Sequence, residues 1–576
     1  MIDYVNLVDK INKTDDSRRL SSDEVKELNY EFSEGEVIEI NTEITYKNKY
    51  FELVFYLNFP VNFPVNFPKI FLKKEIYDGI KYIPHVNKDY SICLFDEGLS
   101  PLEPKNLEVF IELLIAKSKK IIRASEDEGD TVLEFKREFR AYWEITYSEK
   151  DRVNNLGFHS IDSETESNVK ALRFIKGDVS GYEYYLYTNE KDAEKIKNYC
   201  KSIGIYFVEA SVLVIKNVFG RPPFEISNKE SIDIIKGDDK YESFKAICNN
   251  NDFEDIVVVF FNNINDTLEC YGWTYKGLTK IPRKKGGFRN NKTISYLTDP
   301  NFGARSVQRI SFNNLSLSRL EIRTSGYVEN QKSVTVSGLG SIGSNLIFFL
   351  KNLPIIQFNL IDIEALSVDN IKRHLLGFGS VSYSKTTGVE FELKKLNPLY
   401  NILTREESIA TIIDKEPELI NSCNLHIVAV GKSIIEKYIL NKISIGLIKT
   451  PTIFFWVEPF LASGQMIYLN PNDADNLLKV IDEYPFDVLS KEQVNNDKTY
   501  LIEGSCQTGY FPYSSTYLIQ FLSAVYPFLK DYVNTEVSPS MIYTWVGDKK
   551  LLEEKGLILS EFGKSHNTFE IVINKL

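Results

Sequence analysis

One segment, residues 333–364, constrains the fold more than any other part of the chain: SVTVSGLGSIGSNLIFFLKNLPIIQFNLIDIE. Its pattern predicts, in order, a strand at Ser333–Ser337, a turn with Gly338, Gly340 and Gly343, an apolar helix at Ser344–Lys351 and a strand at Ile355–Ile361. Glycines allow a tight turn and close approach of a phosphate, and the helix N-terminus supplies amides and a positive dipole. Asp362, 22 residues beyond Gly340, is placed to accept hydrogen bonds from a ribose. The segment predicts a Rossmann-like nucleotide fold, but NAD, FAD and ATP all share ribose and phosphate.

Length and charge narrow the class of protein. The 576 residues correspond to roughly four folded units. With 68 Lys and Arg against 80 Asp and Glu, the net charge of −12 argues against a nucleic-acid or anionic-membrane surface. No apolar run approaches the roughly 20 residues that span a bilayer. The N-terminus has no signal-peptide apolar core, so we expect a cytoplasmic protein.

The cysteines argue against a disulfide framework and against structural zinc. There are six in the chain and no CxxC pair, whereas a tetrathiolate zinc site needs close pairs. Each thiol is therefore either a small buried residue or a nucleophile. The six cysteines are Cys93, Cys200, Cys248, Cys270, Cys423 and Cys506. Local context favours a nucleophile at two of them. Those two are Cys93 and Cys506.

The region around Cys93 carries the first resemblance. Residues 36–59 alternate apolar and polar in two runs separated by YKNK, which predicts an antiparallel hairpin. A strand, a loop with Cys93 followed by Leu, and helices come next. This order resembles the ubiquitin-conjugating fold, an α+β fold in which the cysteine carries a thioester. The resemblance predicts such a domain at 1–150.

That family carries His-Pro-Asn starting ten residues before its cysteine, and this chain has Ile83, Pro84 and His85 there. The family's Asn is thought to steady the loop or the oxyanion formed when an amine attacks the thioester. Two roles follow for His85. It could donate a similar hydrogen bond, or it could take a proton from the incoming amine. A loop cysteine and a loop-bracing histidine are the structural alternatives.

The residues after Asp362 carry the second resemblance. They include Asn370, Arg373, Lys385 and a Leu-Asn-Pro sequence at 396–398. This order resembles the ubiquitin-activating and sulfur-carrier-activating superfamily (ThiF-like), which adenylates carboxylates with ATP. The resemblance implies that Asp362 binds the ATP ribose and that Asn370, Arg373 and Lys385 grip the phosphates. Arg373 would also stabilise charge as pyrophosphate leaves.

The resemblance also implies Mg²⁺ with the ATP, but the chain departs from the family at this point. The family usually has an Asp after the next strand that handles magnesium, and Gly431 stands at its place. The magnesium ligand is therefore unknown. Activating enzymes place their thioester cysteine in a mobile segment after the ATP fold. Cys506, in a Gly/Ser/Thr-rich turn before a helix, is the candidate, because a helix N-terminus favours a thiolate.

The predicted organisation is a multidomain α/β and α+β chain. It has a ubiquitin-conjugating-like domain at 1–150, an α/β connecting domain at 151–325, and an adenylation domain with the Cys506 segment at 326–576. Together the two resemblances are to bacterial fusions of conjugating and activating modules, which accompany cGAS/DncV-like nucleotidyltransferases in anti-phage signalling (CBASS) operons. They imply adenylation of a protein C-terminal carboxylate, a thioester on Cys506, transthiolation to Cys93 and transfer to an amine. The implied partner is the nucleotidyltransferase, and superfamily habit implies a homodimer.

Two other functions stay open, and a third is disfavoured. An adenylating enzyme for a sulfur-carrier-like protein would account for the C-terminal part and leave the conjugating-like domain unexplained. A non-catalytic scaffold would follow if His85 and Gly431 mark decay of the two sites. An NAD oxidoreductase would leave Asn370, Arg373 and Lys385 without a role.

Overall fold

The computed structural model describes most of the chain. The described residues are 4–12, 15–63, 65–94, 107–144, 155–162, 168–176, 181–216, 219, 226–250, 255–264, 267–275, 300–493, 499–502, 509–534 and 538–576. Cys506 lies outside them. The chain divides into two compact units, Met1–Ala193 with Cys200–Leu320, and Glu194–Tyr199 with Glu321–Leu576. Both combine helices with sheets, which confirms the prediction of a mixed α/β chain, while the bounds of the three predicted domains stay predictions. Among the described residues, no helix is long and apolar enough to cross a membrane.

The first unit begins with an antiparallel sheet. Its strands, in spatial order, are β1 (Asp16–Arg19), β2 (Gly35–Tyr46), β3 (Lys49–Pro60) and β4 (Lys69–Leu72). The predicted hairpin is confirmed, because Tyr46 pairs with Lys49 across a two-residue turn. Both turn residues, Lys47 and Asn48, have positive φ, as the tight turn between twisted strands requires.

Helices pack on both faces of this sheet. They are α1 (Tyr4–Ile11), α2 (Ser22–Leu28), α3 (Lys74–Ile80) and α4 (Leu107–Ala124). The sequence predicts one apolar stripe on α4, made of Leu107, Phe110, Ile111, Leu114 and Ile115. The structure confirms it, since the last four of these are buried against apolar side chains of β2 and β3 and Leu107 packs partly buried beside them. This packing closes a core beneath the loop that carries Cys93.

The rest of the first unit is built around a closed barrel. Its strands are β5 (Asn155–His159), β6 (Lys170–Lys176), β7 (Tyr182–Tyr187), β8 (Tyr206–Val214), β9 (Ile256–Ile264), β10 (Thr267–Tyr275) and β11 (Gln308–Asn314), in the order β10-β11-β5-β7-β6-β8-β9. The helices are α5 (Glu128–Arg137), α6 (Phe139–Glu144), α7 (Glu190–Ser202), α8 (Asn228–Gly237), α9 (Tyr241–Asn250) and α10 (Pro300–Gly303). The pattern of residues 181–216 predicts a strand, a helix and a strand as a small α/β unit, and the three elements are present as β7, α7 and β8. Strand β6 lies between β7 and β8, and the pairing of β9 with β10 completes the ring, so these strands belong to a closed barrel instead of a small open α/β sheet.

The second unit is organised by an eight-stranded sheet. Its order is β14-β13-β12-β15-β16-β17-β20-β21. Strands β12 to β16 run parallel to one another, and β17, β20 and β21 extend the sheet at one edge through antiparallel pairs. The bounds are β12 (Lys332–Ser337), β13 (Ile355–Ile361), β14 (Asn401–Arg405), β15 (Leu425–Val428), β16 (Thr452–Val457), β17 (Ser463–Leu469), β20 (Met541–Val546) and β21 (Ile571–Lys575), with a separate pair of β18 (Leu501–Ile502) and β19 (Gly509–Tyr510).

Helices pack on both faces of this sheet. The helices from residue 317 onward are α11 (Leu317–Ser325), α12 (Ser341–Leu350), α13 (Lys385–Leu396), α14 (Ile409–Lys415), α15 (Glu418–Asn421), α16 (Ser433–Ser444), α17 (Ala474–Val480), α18 (Ser515–Asn534), α19 (Lys549–Glu554) and α20 (Glu561–Ser565). Leu346 and Phe521 belong to the core on one face, and Ile412 and Ile439 to the core on the other. The chain reverses its direction of strand addition between β12 and β15, where open parallel sheets bind ligands.

Candidate functional site

The three glycines of the predicted turn have different structural roles. Gly338 has φ +88°, and a Cβ there would lie 2.6 Å from the carbonyl oxygen of Ala429. Helix α12 starts at Ser341, three residues before its predicted start, so Gly343 lies inside the helix. A Cβ on Gly343 would lie 1.9 Å from the carbonyl oxygen of Gly338, so this glycine lets the helix pack on the turn. A Cβ on Gly340 would meet no atom within 4 Å, which leaves the entrance of α12 open.

A cavity of about 180 Å³ lies at the carboxyl ends of the parallel strands. It brings together four of the residues predicted from the sequence, which are Gly338, Gly340, Asp362 and Lys385. Gly340 is the N-cap of α12 and makes no side-chain capping bond. The first amides of α12 therefore suit an anion, because helix N-termini bind phosphates through these groups.

Asp362 braces the turn from the neighbouring strand. Its Oδ2 accepts a hydrogen bond from the backbone N–H of Leu339 at 2.6 Å, and its Oδ1 accepts one from Glu364 at 2.7 Å. Each carboxylate oxygen can accept a further bond. The predicted contact with a ribose thus stays a prediction, and the structure adds a loop-holding role.

Lys385 is a buried cation at the edge of this cavity. Its side chain is 4% exposed, and Nζ lies 2.6 Å from Oε2 of Glu364. The exposed Lys432 reaches Oε1 of the same carboxylate at 3.6 Å. The hydrogen bond from Lys385 holds the pKa of Glu364 below its ordinary value. An anion entering the cavity would compete with Glu364 for these two cations.

His374 holds the glycine turn from the other side, and sequence reasoning missed it. Its Nε2 lies 2.6 Å from the carbonyl oxygen of Leu339, and its Nδ1 accepts the N–H of Leu376 at 3.0 Å. These bonds require a neutral ring with its proton on Nε2. Burial lowers the pKa of His374, which favours that neutral form. Its position next to Arg373 was the only signal in the sequence.

Arg373 and Asn370 are not among the residues that line this cavity. The guanidinium of Arg373 donates to the carbonyl oxygen of Phe511 at 3.2 Å and stacks 4.8 Å from the ring centre of Tyr513. Asn370 accepts a hydrogen bond from Ser367 at 3.2 Å. Their predicted phosphate contacts stay predictions. Phe511 and Tyr513 follow soon after the Cys506 segment, which lies outside the described residues.

Gly431 has φ +62°, a backbone conformation that favours glycine. Its N–H forms a hydrogen bond with the carboxylate of Glu436, and burial raises the pKa of that carboxyl to about 7. Within the part of the chain that the structure describes, no group of three or more His, Cys, Asp or Glu side chains could hold a metal ion. The ligand of the predicted Mg²⁺ stays unknown.

The second candidate site surrounds Cys93 in the first unit. Cys93 is exposed, and its N–H donates to the carbonyl oxygen of His85 at 2.7 Å. A cavity of about 740 Å³ is lined by both residues and by Pro84. The charged side chains on its walls are Lys117, Lys120, Asp130, Glu134 and Arg137. The structure thus brings the two sequence-predicted residues together at one open cavity.

The environment of His85 was not predicted from the sequence. Its Nδ1 is ion-paired with Oε1 of Glu138, and its Nε2 lies 3.5 Å from Oε2 of Glu134. Its backbone N–H donates to Oε2 of Glu138 at 3.1 Å and to the hydroxyl of Tyr142 at 2.8 Å. The hydrogen bond with Glu138 raises the pKa of His85 despite partial burial. The four-residue spacing of Glu134, Glu138 and Tyr142 was the available signal, since residues at that spacing lie on one side of a helical segment.

The other described cysteines are core residues. Cys200, Cys248, Cys270 and Cys423 are buried. Burial raises the pKa of Cys200 to about 11 and that of Cys248 to about 12, and it raises the pKa of Cys270 further. These thiols are therefore poor nucleophiles at neutral pH. The expectation that Cys423 is a core residue is confirmed.

A protein-family model, prokaryotic E2 family B, matches residues 14–152. Residues 14–152 are thus similar to this E2 family. The matched range includes His85, Cys93 and Glu138, and the predicted ubiquitin-conjugating-like character of this region agrees with it. No curated protein matches the chain.

Among solved structures, selenomethionine PaaA matches with 14% identity and a TM-score of 0.28, over 42% of this chain and 64% of that one. E. coli MccB with ATP matches with 15% identity and a TM-score of 0.27, over 45% of this chain and 66% of that one. E. coli MccB with MccA-N7isoAsn matches with 14% identity and a TM-score of 0.28, over the same shares. Each match spans just under two thirds of the solved chain, and TM-scores this low do not support a conclusion about this protein.

Proposed function

We propose that this chain is an ATP-dependent ligase that joins the C-terminal carboxylate of one protein to an amine. In the first step the carboxylate attacks the α-phosphate of ATP, which gives an acyl-adenylate and releases pyrophosphate. The thiolate of Cys506 then displaces AMP and forms a thioester. The thiol of Cys93 takes the acyl group and frees Cys506. Finally an amine attacks, an amide forms, the amine loses a proton and Cys93 leaves as a thiolate.

The observation that carries the proposal is the Cys93 site. Among the described cysteines, Cys93 is the exposed one, and it shares a cavity with His85 inside the region that resembles an E2 family. A thioester-bearing sulfur has to be reached by another protein and by an amine, so an exposed sulfur at a large open cavity fits this work. The paired histidine supplies a group that can handle a proton next to the sulfur.

The nucleotide cavity of the second unit supports the ATP-dependent step. The space in front of Gly340, the entrance of α12 and the cation of Lys385 form a cradle for phosphates. These residues fit ATP, which would supply the leaving group that makes a carboxylate reactive. In the proposal Asp362 binds the ribose, and Asn370 and Arg373 act on the phosphates. Mg²⁺ accompanies the ATP as its counter-ion.

The partner in the proposal is the one that the sequence resemblance implies. It is a cGAS/DncV-like nucleotidyltransferase of a CBASS operon, whose C-terminus would be conjugated to a target in anti-phage defence. The homodimer belongs to the same inference. Both are tested by supplying the candidate carboxylate donor and by measuring the molecular mass in solution.

The experiment that tests the proposal follows the acyl group. The chain is incubated with ATP, Mg²⁺ and a candidate donor protein, and products are separated on non-reducing gels. We expect thiol-sensitive adducts that persist on Cys506 in Cys93→Ala and are lost in Cys506→Ala. Cys200→Ala is the control, because that buried thiol has no role in transfer. Adducts that disappear only in Cys93→Ala, with Cys506→Ala unaffected, would refute the order of transfer.

Two alternative functions make different predictions for the same assay. An adenylating enzyme for a sulfur-carrier-like protein rests on the nucleotide cavity alone, and it would show ATP–pyrophosphate exchange without any adduct on Cys93. A scaffold would show no exchange with any candidate donor. Adducts on both cysteines exclude both alternatives.

A further inference from the structure

Glu138 grips both the main chain and the ring of His85. One carboxylate oxygen, Oε1, pairs with ring Nδ1, and the other, Oε2, accepts the backbone N–H at 3.1 Å. The hydroxyl of Tyr142 donates to the same Oε2 at 2.8 Å and fixes the carboxylate in turn. Burial alone would raise the pKa of Glu138, but its hydrogen bonds with His85 and Tyr142 lower it below the ordinary value. Glu138 therefore faces His85 as a charged carboxylate.

This grip coincides with an unusual backbone conformation. His85 has φ +64°, a left-handed conformation that non-glycine residues adopt at a cost. The main chain on either side is held there, because the carbonyl oxygen of His85 accepts the N–H of Cys93 and its N–H goes to Glu138 and Tyr142. The conformation thus ties the position of the imidazole to the position of the cysteine.

The two ring nitrogens of His85 are not equivalent. Nδ1 donates its proton to Glu138, so it is not free to accept one. Nε2 lies 3.5 Å from Oε2 of Glu134, longer than a normal hydrogen bond, while the other oxygen of Glu134, Oε1, pairs with Arg137 at 2.5 Å. Nε2 is therefore the ring atom available for chemistry in the Cys93 cavity.

We propose that Glu138 is a positioning residue that holds the Nδ1–H tautomer of His85, so that Nε2 accepts the proton of the amine attacking a thioester on Cys93. In this step the C–N bond forms, the C–S bond breaks, Cys93 leaves as a thiolate, and the proton lost by the amine moves to Nε2. The inference rests on the proposed function of Cys93. It selects the base among the two roles that the sequence left open for His85.

The barrel takes part in this arrangement, because it anchors α5 and α6, the two helices that flank Glu138. Trp143 of α6 donates from Nε1 to the carbonyl oxygen of Ile310 at 3.0 Å. Arg309 stacks 4.8 Å from a ring centre of Trp143, and Asn262 donates to the carbonyl oxygen of Lys136 at 2.9 Å. The connecting region thus holds the carboxylate that orients His85, which goes beyond a linker.

The test uses the full-length chain with Glu138→Gln, His85→Gln, and Glu144→Gln as the matched control on the same helix pair. Histidine-selective ¹⁵N labelling reports the tautomer and the pKa of His85 without any partner, and the chain has five histidines to assign. We expect the Nδ1–H tautomer in the wild type, a lower His85 pKa in Glu138→Gln, and no change in Glu144→Gln. If Glu138→Gln does not fold, Glu138→Asp carries the test, and it is expected to keep the tautomer.

Discharge of a Cys93 adduct to an amine is then measured against pH. His85→Gln is expected to slow discharge by about 10²-fold or more, as loss of a general base does. Glu138→Gln is expected to move the His85-dependent inflection to lower pH and to reduce the plateau, while adduct formation on Cys93 continues. An unchanged His85 titration in Glu138→Gln, or discharge that needs the protonated ring, overturns this inference. Absence of any adduct on Cys93 overturns the proposed function instead.

Discussion

Alanine substitutions at two glycines of the nucleotide turn are expected to have different effects: Gly338→Ala lowers the stability of the fold, and Gly340→Ala lowers the affinity for ATP. Gly338→Ala meets two penalties, because φ +88° disfavours a side chain and the new Cβ would lie 2.6 Å from the carbonyl oxygen of Ala429. A left-handed backbone costs about 1–2 kcal/mol, and overpacking costs typically about 1–3 kcal/mol. A sum near 3 kcal/mol lowers Tm by about 6–12 °C for a unit of this size.

Gly340→Ala is expected to behave in the opposite way. Its φ of −68° suits alanine, and the added methyl would meet no protein atom within 4 Å. The loss of chain entropy in the unfolded state favours alanine by about 0.4–1 kcal/mol, and the poorer N-cap opposes it, so stability changes by less than about 1 kcal/mol. The methyl occupies the space where a phosphate would approach, so ATP affinity is expected to fall at least about tenfold, which is 1.4 kcal/mol.

Thermal unfolding and ATP titration calorimetry measure both effects on the same samples. Gly379→Ala is the control, since a Cβ there also meets no atom within 4 Å and the residue lies outside the cavity. We expect its Tm and its ATP affinity to equal those of the wild type. The reasoning fails if Gly340→Ala binds ATP as tightly as the control, or if it unfolds as early as Gly338→Ala.

The remaining predictions concern charge and packing. Lys385→Met is expected to reduce ATP–pyrophosphate exchange by about 10²-fold or more, and Lys432→Met, which removes the exposed cation, by less; equal losses would contradict the role given to the buried lysine. Burial and then Asp487 raise the pKa of Glu458 from 4.5 to about 7. Its contribution to stability is therefore present below about pH 4.5 and lost as pH rises through about 7. Urea unfolding against pH should show this slope in the wild type and a shallower one in Glu458→Gln, where Glu436, whose pKa burial also raises to about 7, still contributes. Trp143→Ala is expected to destabilise the first unit by about 3–5 kcal/mol in urea, because its side chain is fully buried.

Local patterns in the sequence were enough to predict the elements that build both sites. The hairpin of β2 and β3, the apolar stripe of α4 and the β12-α12-β13 unit all follow from periodicity over a few residues, and the structure has each of them. The start of α12 was predicted three residues late, since glycine was expected only in the turn. Gly343 is instead required inside the helix, where the turn packs against it.

Contacts between distant segments were beyond that kind of reasoning. The connecting region forms a closed barrel in which β6 lies between β7 and β8, and no local pattern encodes the order of strands. Glu138 is 53 residues from His85 in the chain, and its carboxylate reaches the loop only because α5 and α6 pack beside it. A positioning residue such as Glu138 can be identified only when the hydrogen bonds to its partner and the burial of both residues are known.

The cysteines show how the two kinds of information combine. A sequence motif distinguishes Cys93 from the other described cysteines, but a motif does not establish that a second protein can reach the sulfur. The exposure of each thiol in the structure does establish it. Cys93 is exposed, whereas burial raises the pKa of Cys200 to about 11 and that of Cys248 to about 12. A thiol in a core can neither ionise readily nor meet a second protein, so it cannot pass an acyl group onward. Among the described cysteines, the one predicted as an acyl carrier is therefore also the one whose surroundings permit that chemistry.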